Sequence, residues 1–465
     1  MTRIHLIGIG GTGLSAIARV LLEMGHTVSG SDRAGSPFTR DLQSAGVTIH
    51  IGHRPENVTG ADLVVRSSAI PDNNPEVAAA RAARIPVLKR ADFLSSLMEG
   101  KTGIAIAGTH GKTTTTSMIA WMLTALNQDP TFIAGGVLAN LGVNARAGKG
   151  STFVIEADEY DRMFLGLKPT IEVVTNIEHD HPDCYPTPED FQAAFMEFVH
   201  HLPTTGTLIA CAEDPGAYAL LAKAEKMGKA VLAYGLKPTA SDGRGMETYT
   251  SVLSVNGKGG FTFSACVLGN SATVELQVPG KHNILNALAA LTVAQLLGLP
   301  LADAAQALGQ FAGTGRRFEV RGEPNGIVVI DDYAHHPTEI RVTLAAARTR
   351  YPGRRIWAVW QPHTYSRTQM FFDDFANSFN DADEVIVTEI YAAREPKQDF
   401  SSKKVVDAMH RPAHFIAGLS EVSNYLISHL RPGDVLLVLS AGDADQVSTA
   451  VLAHLTHRVL REGGS

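Results

Sequence analysis

One pattern, used three times, restricts the fold more than any other. A short apolar run is followed by a glycine-rich or polar turn and then by helical periodicity, with starts near residues 4, 102 and 327. Runs of this length read as buried strands, and the i, i+3, i+4 spacing after them reads as helices packed back on those strands. After the first turn, Leu14, Ile17, Ala18, Leu21 and Leu22 mark one helical face. Strand–turn–helix repeats call for mostly parallel sheets, because parallel neighbours need a crossover of that length. At roughly 150 residues per domain, 465 residues make about three domains. The expected boundaries are 1–100, 101–314 and 315–465, with a connector over Met98-Glu99-Gly100-Lys101. Residues 231–278 alternate between glycine turns, as in Phe261-Thr262-Phe263-Ser264, and predict antiparallel hairpins attached to the second unit. In the third unit, strands are expected at 327–330, 356–359, 384–387 and 435–439.

Composition narrows the class. A hydrophobic share of 45% supplies several cores and excludes a disordered chain. The net charge of −7 gives no global hold on nucleic acid or an anionic membrane. No apolar run approaches the roughly 20 residues that span a bilayer, and the apolar stretch at Ile4–Ile7 is too short for a signal peptide. Cys184, Cys211 and Cys266 lie far apart and read as free thiols. A cytoplasmic protein without nucleic-acid partners or membrane insertion is expected.

The motif richest in chemistry is Gly108-Thr109-His110-Gly111-Lys112-Thr113-Thr114, between a strand and a helical pattern. This is the setting of a phosphate-binding loop. Backbone N–H groups would close on phosphate oxygens, Lys112 would neutralise the β- and γ-phosphates, and the Thr113 hydroxyl would ligate Mg²⁺. The pattern departs from G-x-x-x-x-G-K at Ile106. At the N-terminal side, Gly8-Ile9-Gly10-Gly11-Thr12-Gly13 with Asp32 nineteen residues beyond fits a diphosphate on a helix N-terminus and a carboxylate on a sugar hydroxyl. Any nucleotide-diphosphate conjugate satisfies both, NAD among them.

Two acidic clusters follow strands of the second unit: Glu156-Ala157-Asp158-Glu159-Tyr160-Asp161 and Thr175-Asn176-Ile177-Glu178-His179-Asp180-His181. Hard oxygen and imidazole donors beside a phosphate loop suit Mg²⁺. In the third unit Asp331-Asp332-Tyr333-Ala334-His335-His336 and Gln361-Pro362-His363-Thr364-Tyr365-Ser366-Arg367 also sit at strand ends, where open α/β sheets bind ligands. Arg316-Arg317 precede them and could reach an anion from the inter-domain side. The His335-His336 pair lacks a third ligand at zinc spacing.

Together these stretches resemble the Mur ligase family. The resemblance runs collinearly over essentially the whole chain, through 8–13 with 29–32, 108–116, 156–161, 175–181, 280–286, 313–319, 331–339 and 361–368. It implies an α/β chain of three domains: a Rossmann-like N-terminal domain for a UDP-sugar, a central P-loop ATPase domain with an antiparallel β extension, and a C-terminal Rossmann-like domain for an amino acid. The implied reaction is the ATP-dependent ligation of L-alanine to the lactyl carboxylate of UDP-N-acetylmuramate through an acyl phosphate, in peptidoglycan precursor synthesis, by a monomer or homodimer.

The resemblance also implies roles. Gly108, Thr109, His110, Gly111, Lys112, Thr113 and Thr114 would hold the ATP phosphates, His282 and Asn283 the adenine, and Asp332 the ribose. Gly10, Gly11, Thr12, Gly13, Asp32, Ser67 and Arg317 would hold the UDP-sugar. Thr113 and Glu156 would bind one Mg²⁺ and His181 a second. Tyr333, His335, His363 and Arg367 would surround the alanine, with Arg367 on its carboxylate and His335 as proton acceptor. Lys112, His181, His335 and Arg367 form the catalytic set.

Ala334 and Thr364 depart from the glycine and arginine of many relatives, and Glu159-Tyr160-Asp161 from their Glu-Ser-Asp. Met196 stands where sister ligases carry a carbamoylated lysine, which points to the alanine-adding branch. Three other readings compete: a recycling ligase adding a ready-made tripeptide, an NAD-dependent oxidoreductase built on the first glycine loop, and a non-catalytic nucleotide switch.

Overall fold

The structure, a computed structural model, describes residues 1–462; the last three positions of the expected 315–465 unit lie outside the described residues. The first sheet is wholly parallel, with strands β1 (Arg3–Ile7), β2 (Thr27–Asp32), β3 (Thr48–Ile51), β4 (Leu63–Arg66) and β5 (Val87–Lys89) in the order β3-β2-β1-β4-β5. Strand order reverses beside β1, so the turn after β1 opens at a switch point.

The second sheet is built around β6 (Thr102–Ala107), whose residues 104–107 are fully buried. Continuous apolar runs of this kind belong to strands covered on both faces. With β7 (Thr131–Leu138), β8 (Val143–Arg146), β9 (Thr152–Glu156), β10 (Ile171–Val174), β11 (Thr207–Cys211), β12 (Ala230–Gly235), β13 (Thr248–Val255), β14 (Phe261–Val267) and β15 (Asn270–Glu275), it runs β15-β14-β13-β12-β11-β10-β6-β9-β7-β8. The antiparallel part is smaller than the alternation over 231–278 predicts. β12 pairs parallel with β11, because the helix Pro215–Lys226 carries the chain back across the sheet, and within 231–278 only β13–β15 form antiparallel pairs; β7 and β8 make a further antiparallel pair at the other edge.

The third sheet holds β16 (Glu319–Gly322), β17 (Val328–Asp332), β18 (Ile356–Gln361), β19 (Glu384–Val387), β20 (Ala413–Phe415) and β21 (Val435–Ser440) in the order β16-β17-β21-β18-β19-β20. All its pairs are parallel except β16 with β17. β21 therefore lies between β17 and β18. Among the described residues no helix is long and apolar enough to cross a membrane, and the three cysteines are free.

The units meet differently. The helix Thr12–Glu23 of the first unit packs on β7 and β8, and one apolar core runs from Leu14, Ile17 and Leu21 through Met98 to Ile133, Ala145 and Phe164. The connector at 98–101 is thus no free linker. Met98 is 4% exposed, and Lys101 Nζ donates to Thr131 Oγ1 and to the carbonyls of Gly148 and Gly150. Ion pairs and hydrogen bonds among histidine, glutamate, aspartate and arginine side chains join the third unit to the second.

Candidate active site

The phosphate loop spans the four residues between the end of β6 and the helix Lys112–Ala125. The end of β10 shapes it: the His110 N–H donates to Asn176 Oδ1 at 2.8 Å, and the His110 carbonyl accepts from Thr175 Oγ1 at 2.6 Å and Asn176 Nδ2 at 3.0 Å. No side chain caps the helix and no acid occupies its first turn, so its N–H groups suit an anion. Lys112 Nζ donates to the Thr109 carbonyl and lies 2.8 Å from Glu159 Oε2. Burial works against the ammonium, but Glu159 and Glu156 outweigh it and raise its pKa above the usual lysine value.

Thr113 Oγ1 donates to Glu156 Oε1 at 3.0 Å, and the Gly135 N–H donates to Glu156 Oε2 at 2.6 Å. A Cβ at position 135 would come within 2.5 Å of that oxygen, so glycine preserves the notch that seats the carboxylate. A hydroxyl and a carboxylate held together at the loop form an oxygen donor set that fits Mg²⁺. His181 stands beyond Glu159, its Nε2 3.4 Å from Glu159 Oε1, with left-handed backbone (φ +56°). Burial opposes its charge, while Asp180 and Glu159 lift its pKa above the ordinary histidine value.

The third unit contributes Arg367, whose Nε and Nη2 both lie 2.9 Å from Asp180 Oδ1, and whose Nη1 lies 3.1 Å from His363 Nδ1. Both members of the Arg367–Asp180 pair are buried. His335 Nδ1 donates to the Tyr333 carbonyl at 2.9 Å, so its Nε2 bears the lone pair. Burial drives the His335 pKa down to about 3 and that of His363 to about 4, leaving both neutral. Arg394, over the Tyr160 ring at 4.3 Å, makes no ion pair among the described residues.

Around these groups lies a cavity of about 1190 Å³. The first unit lines it with Thr12, Gly13 and Arg90, the second with Thr109, Lys112, Thr113, Glu156 and His181, and the third with Tyr333, His335, His363 and Arg367. A smaller cavity of about 210 Å³ opens on the other side of the loop, between His110, Gly111, Thr114, His282, Asn283, Asn286 and Asp332. Arg317 borders both, 3.7 Å from Glu339 and over the Tyr333 ring. Burial, and then Arg317, hold the His282 pKa at about 4. Asp332 accepts from the N–H groups of Phe318 and Ala334, and burial raises its pKa to about 6 despite Arg317.

The first glycine loop behaves as its spacing predicts at the backbone level. Asp32 Oδ2 accepts the Gly10 N–H at 2.9 Å, and Ser67 lies against Gly8. Gly10, Gly11, Asp32 and Ser67 stand behind the large cavity; Thr12 and Gly13 reach its wall. At Gly13 a Cβ would fall 1.9 Å from Arg90 Nη1, so this position has to be glycine for the guanidinium to lie on the loop.

Sequence reasoning assigned no individual role to Arg90, Glu159, Asp180, Glu178, Glu339 or Arg394. Glu339 does have a local signal, the capping-box spacing from His336 at the start of the helix Pro337–Arg350. The His335-His336 pair gains company only across domains: ligand atoms of His336, His110 and Glu178 lie within 4.8 Å of one another.

Three α/β units closing on one cavity beside a phosphate loop define a multidomain nucleotide-site protein. The chain belongs to the Mur ligase family: the family's catalytic domain matches residues 3–102, its middle domain residues 106–294 and its glutamate ligase domain residues 316–442. Among its relatives, the UDP-N-acetylmuramate–L-alanine ligase of Geobacter sp. (strain M21) is 44% identical, over 97% of both chains. That of Salinibacter ruber is also 44% identical, over 96% of this chain and 94% of the relative. Of solved structures, the UDP-N-acetylmuramate-alanine ligase from Thermotoga maritima superposes with a TM-score of 0.81 at 29% identity, covering 98% of this chain and all of that one. A murein peptide ligase from Psychrobacter arcticus gives 0.71 at 28%, over 98% and 99%.

Proposed function

We propose that this chain joins L-alanine to the lactyl carboxylate of UDP-N-acetylmuramate while ATP becomes ADP and phosphate, a cytoplasmic step of peptidoglycan precursor synthesis. The observation that carries the reading is one cavity to which all three units bring side chains. Full-length relatives of the alanine-adding type at 43–44% identity support the substrate pair. Residues 1–100 would bind the UDP-sugar, 101–314 ATP and 315–465 the amino acid.

A carboxylate is a poor acyl donor because oxide is a poor leaving group. Transfer of the γ-phosphoryl group gives an acyl phosphate, and the alanine amine then displaces phosphate through a tetrahedral intermediate. The protein's part is positioning and charge neutralisation. Lys112 exchanges Glu159 for phosphate oxygens, and the free N–H groups of the loop add their partial charges. Arg317, which lines both cavities, would meet the same phosphoryl group, a different role from the UDP-sugar contact that the family resemblance implies. Mg²⁺ held by Thr113 and Glu156 would neutralise phosphate charge, and a second ion would sit at His181. His282, Asn283 and Asp332 line the nucleoside side.

The alanine would lie among Tyr333, His335, His363 and Arg367. Two Arg367 donors already face Asp180, so Arg394 is the second cation available to the carboxylate. His335 Nε2 is our candidate proton acceptor, and a near-normal rate in His335→Ala at saturating alanine would remove it.

The test is phosphate release with ATP, Mg²⁺ and UDP-N-acetylmuramate, run against L-alanine, L-serine, glycine and the murein tripeptide. The reading requires release that depends on both the UDP-sugar and L-alanine. Dependence on the tripeptide alone would transfer the chain to the recycling reaction.

A further inference from the structure

His110 lies in the phosphate loop, yet its side chain points away from Lys112 and into the seam between the second and third units. Its Nε2 is 2.9 Å from Glu178 Oε2, and its Nδ1 is 3.1 Å from Glu339 Oε1. A carboxylate without its proton only accepts, and a neutral imidazole carries one N–H. Satisfying both contacts requires both ring protons. We propose that His110 is a positioning residue, a fixed imidazolium clamped between Glu178 of the second unit and Glu339 of the third, so that its ring is held at both nitrogens only while the third unit is docked.

The surroundings are built for this. Glu178 Oε1 also accepts from Thr338 Oγ1 of the third unit at 2.8 Å. Glu339 is fixed at the helix start by the N–H groups of His335 and His336, at 2.9 and 3.3 Å. Arg317 lies 3.7 Å from Glu339, and His335 Nδ1 3.2 Å from it. The His336 ring is 4.7 Å from that of His110. Burial, with His110 next, holds the His336 pKa down to about 4, so His336 adds no competing charge. Burial also opposes the charge on His110, but the bonds to Glu178 and Glu339 prevail and lift its pKa to about 9.

The same cluster could be taken for a metal site, since His110, Glu178 and His336 bring ligand atoms close together. With both His110 nitrogens donating to carboxylates, no lone pair is left there for a metal. A proton occupies the place.

The consequence concerns timing. The backbone of His110 is tied to Thr175 and Asn176 in the second unit alone, but its side chain is tied to both units. Undocking removes Glu339 and leaves the ring held at Nε2 by Glu178 alone. The loop's link to the third unit then exists only in the docked state, which couples phosphoryl transfer to a closed complex. This inference rests on reading the loop as the ATP phosphate site.

The test uses the full-length chain with ¹⁵N-labelled histidine, titrated from about pH 6 to 10, with His110→Gln to assign the signals. Both His110 nitrogens should be protonated at about pH 8. Glu339→Gln should lower the midpoint by about one unit or more, and lower kcat about tenfold with ATP affinity nearly unchanged. Glu178→Gln provides the same reading should Glu339→Gln fold poorly. A neutral His110 near pH 8, a midpoint unmoved by either variant, or selective broadening of its signals by added Mn²⁺ would overturn the proposal. A protonated His110 in a chain that releases no phosphate from ATP would leave the clamp standing and remove the ATP reading.

Discussion

The centre of the seam between the first and second units is apolar and continuous with their cores, with Leu14, Ile17, Met98, Ile133 and Phe164 in one cluster, and polar contacts, Arg90 with Asp158 and Glu23 with the Ala147 N–H, lie at its edge. The seam between the second and third units is made of buried charges, with Asp180 on Arg367 and His110 between two glutamates. Apolar contact is non-directional and tolerates small shifts, whereas paired charges demand their geometry and are costly when one partner is removed. The first seam is therefore suited to a fixed joint, and the second to a joint with two discrete states.

The largest effect should come at the centre both seams enclose. Lys112→Met is expected to lower ligation about 10³-fold, read as phosphate release. A loss of less than about tenfold would mean that the loop lysine does not face the phosphoryl group. Asp180→Asn tests the charged seam and should cost about 3 kcal/mol by leaving Arg367 buried without an anion. Limited proteolysis should then release the third unit first; cleavage at the 98–101 connector instead would reverse the comparison. Met98→Ala tests the apolar seam and should cost about 2–3 kcal/mol of thermal stability. Its kcat should stay within about twofold, and a selective loss of kcat would show that this joint also moves.

A pH titration separates the seams more gently. The His110 pKa is raised in the folded state, to about 9. Its contribution, about 3 kcal/mol at most, is fully present below pH 6.5 and lost as pH rises through about 9. The Glu178 pKa, held down to about 2 against the pull of burial, belongs to the same interaction seen from the acid side and is not added to it. Its share is present above about pH 4.5 and lost as pH falls through about 2. Third-unit docking followed by small-angle scattering should weaken between pH 7 and 9, and a flat profile would contradict the clamp. Smallest of all, raising salt should loosen the exposed part of the charged seam by under about 1 kcal/mol and leave the apolar seam unchanged.

The two seams also differ in how legible they were. Both glycine loops and their helices are local, and spacing alone places Gly108–Thr113 and Gly10–Asp32 at strand ends. Strands β3, β5, β16 and β20 are short and only partly buried, so they lack the apolar run that marks β6 or β21. The partners in the charged seam are separated by 187 residues for Asp180 and Arg367 and by 229 for His110 and Glu339. No local pattern records such a pairing. Arg367 therefore reads as a cation for a substrate carboxylate, with no sign in the sequence that Asp180 shares it. The depth of the joint core was equally hidden, since Met98 next to glycine and lysine looks like a connector.

The order of the third sheet sets a schedule for biosynthesis. β21, at Val435–Ser440, is the strand that separates β17 from β18. Until it leaves the ribosome, the strands on either side have no partner between them, while the first two units can already be folded around their shared core. Translation at about 5–20 residues per second leaves several seconds in which the phosphate loop exists without Glu339 docked beside it. On the proposed reading of the loop, a nascent chain in that interval would lack the contact between His110 and Glu339, and ATP would be spared until the third unit has closed.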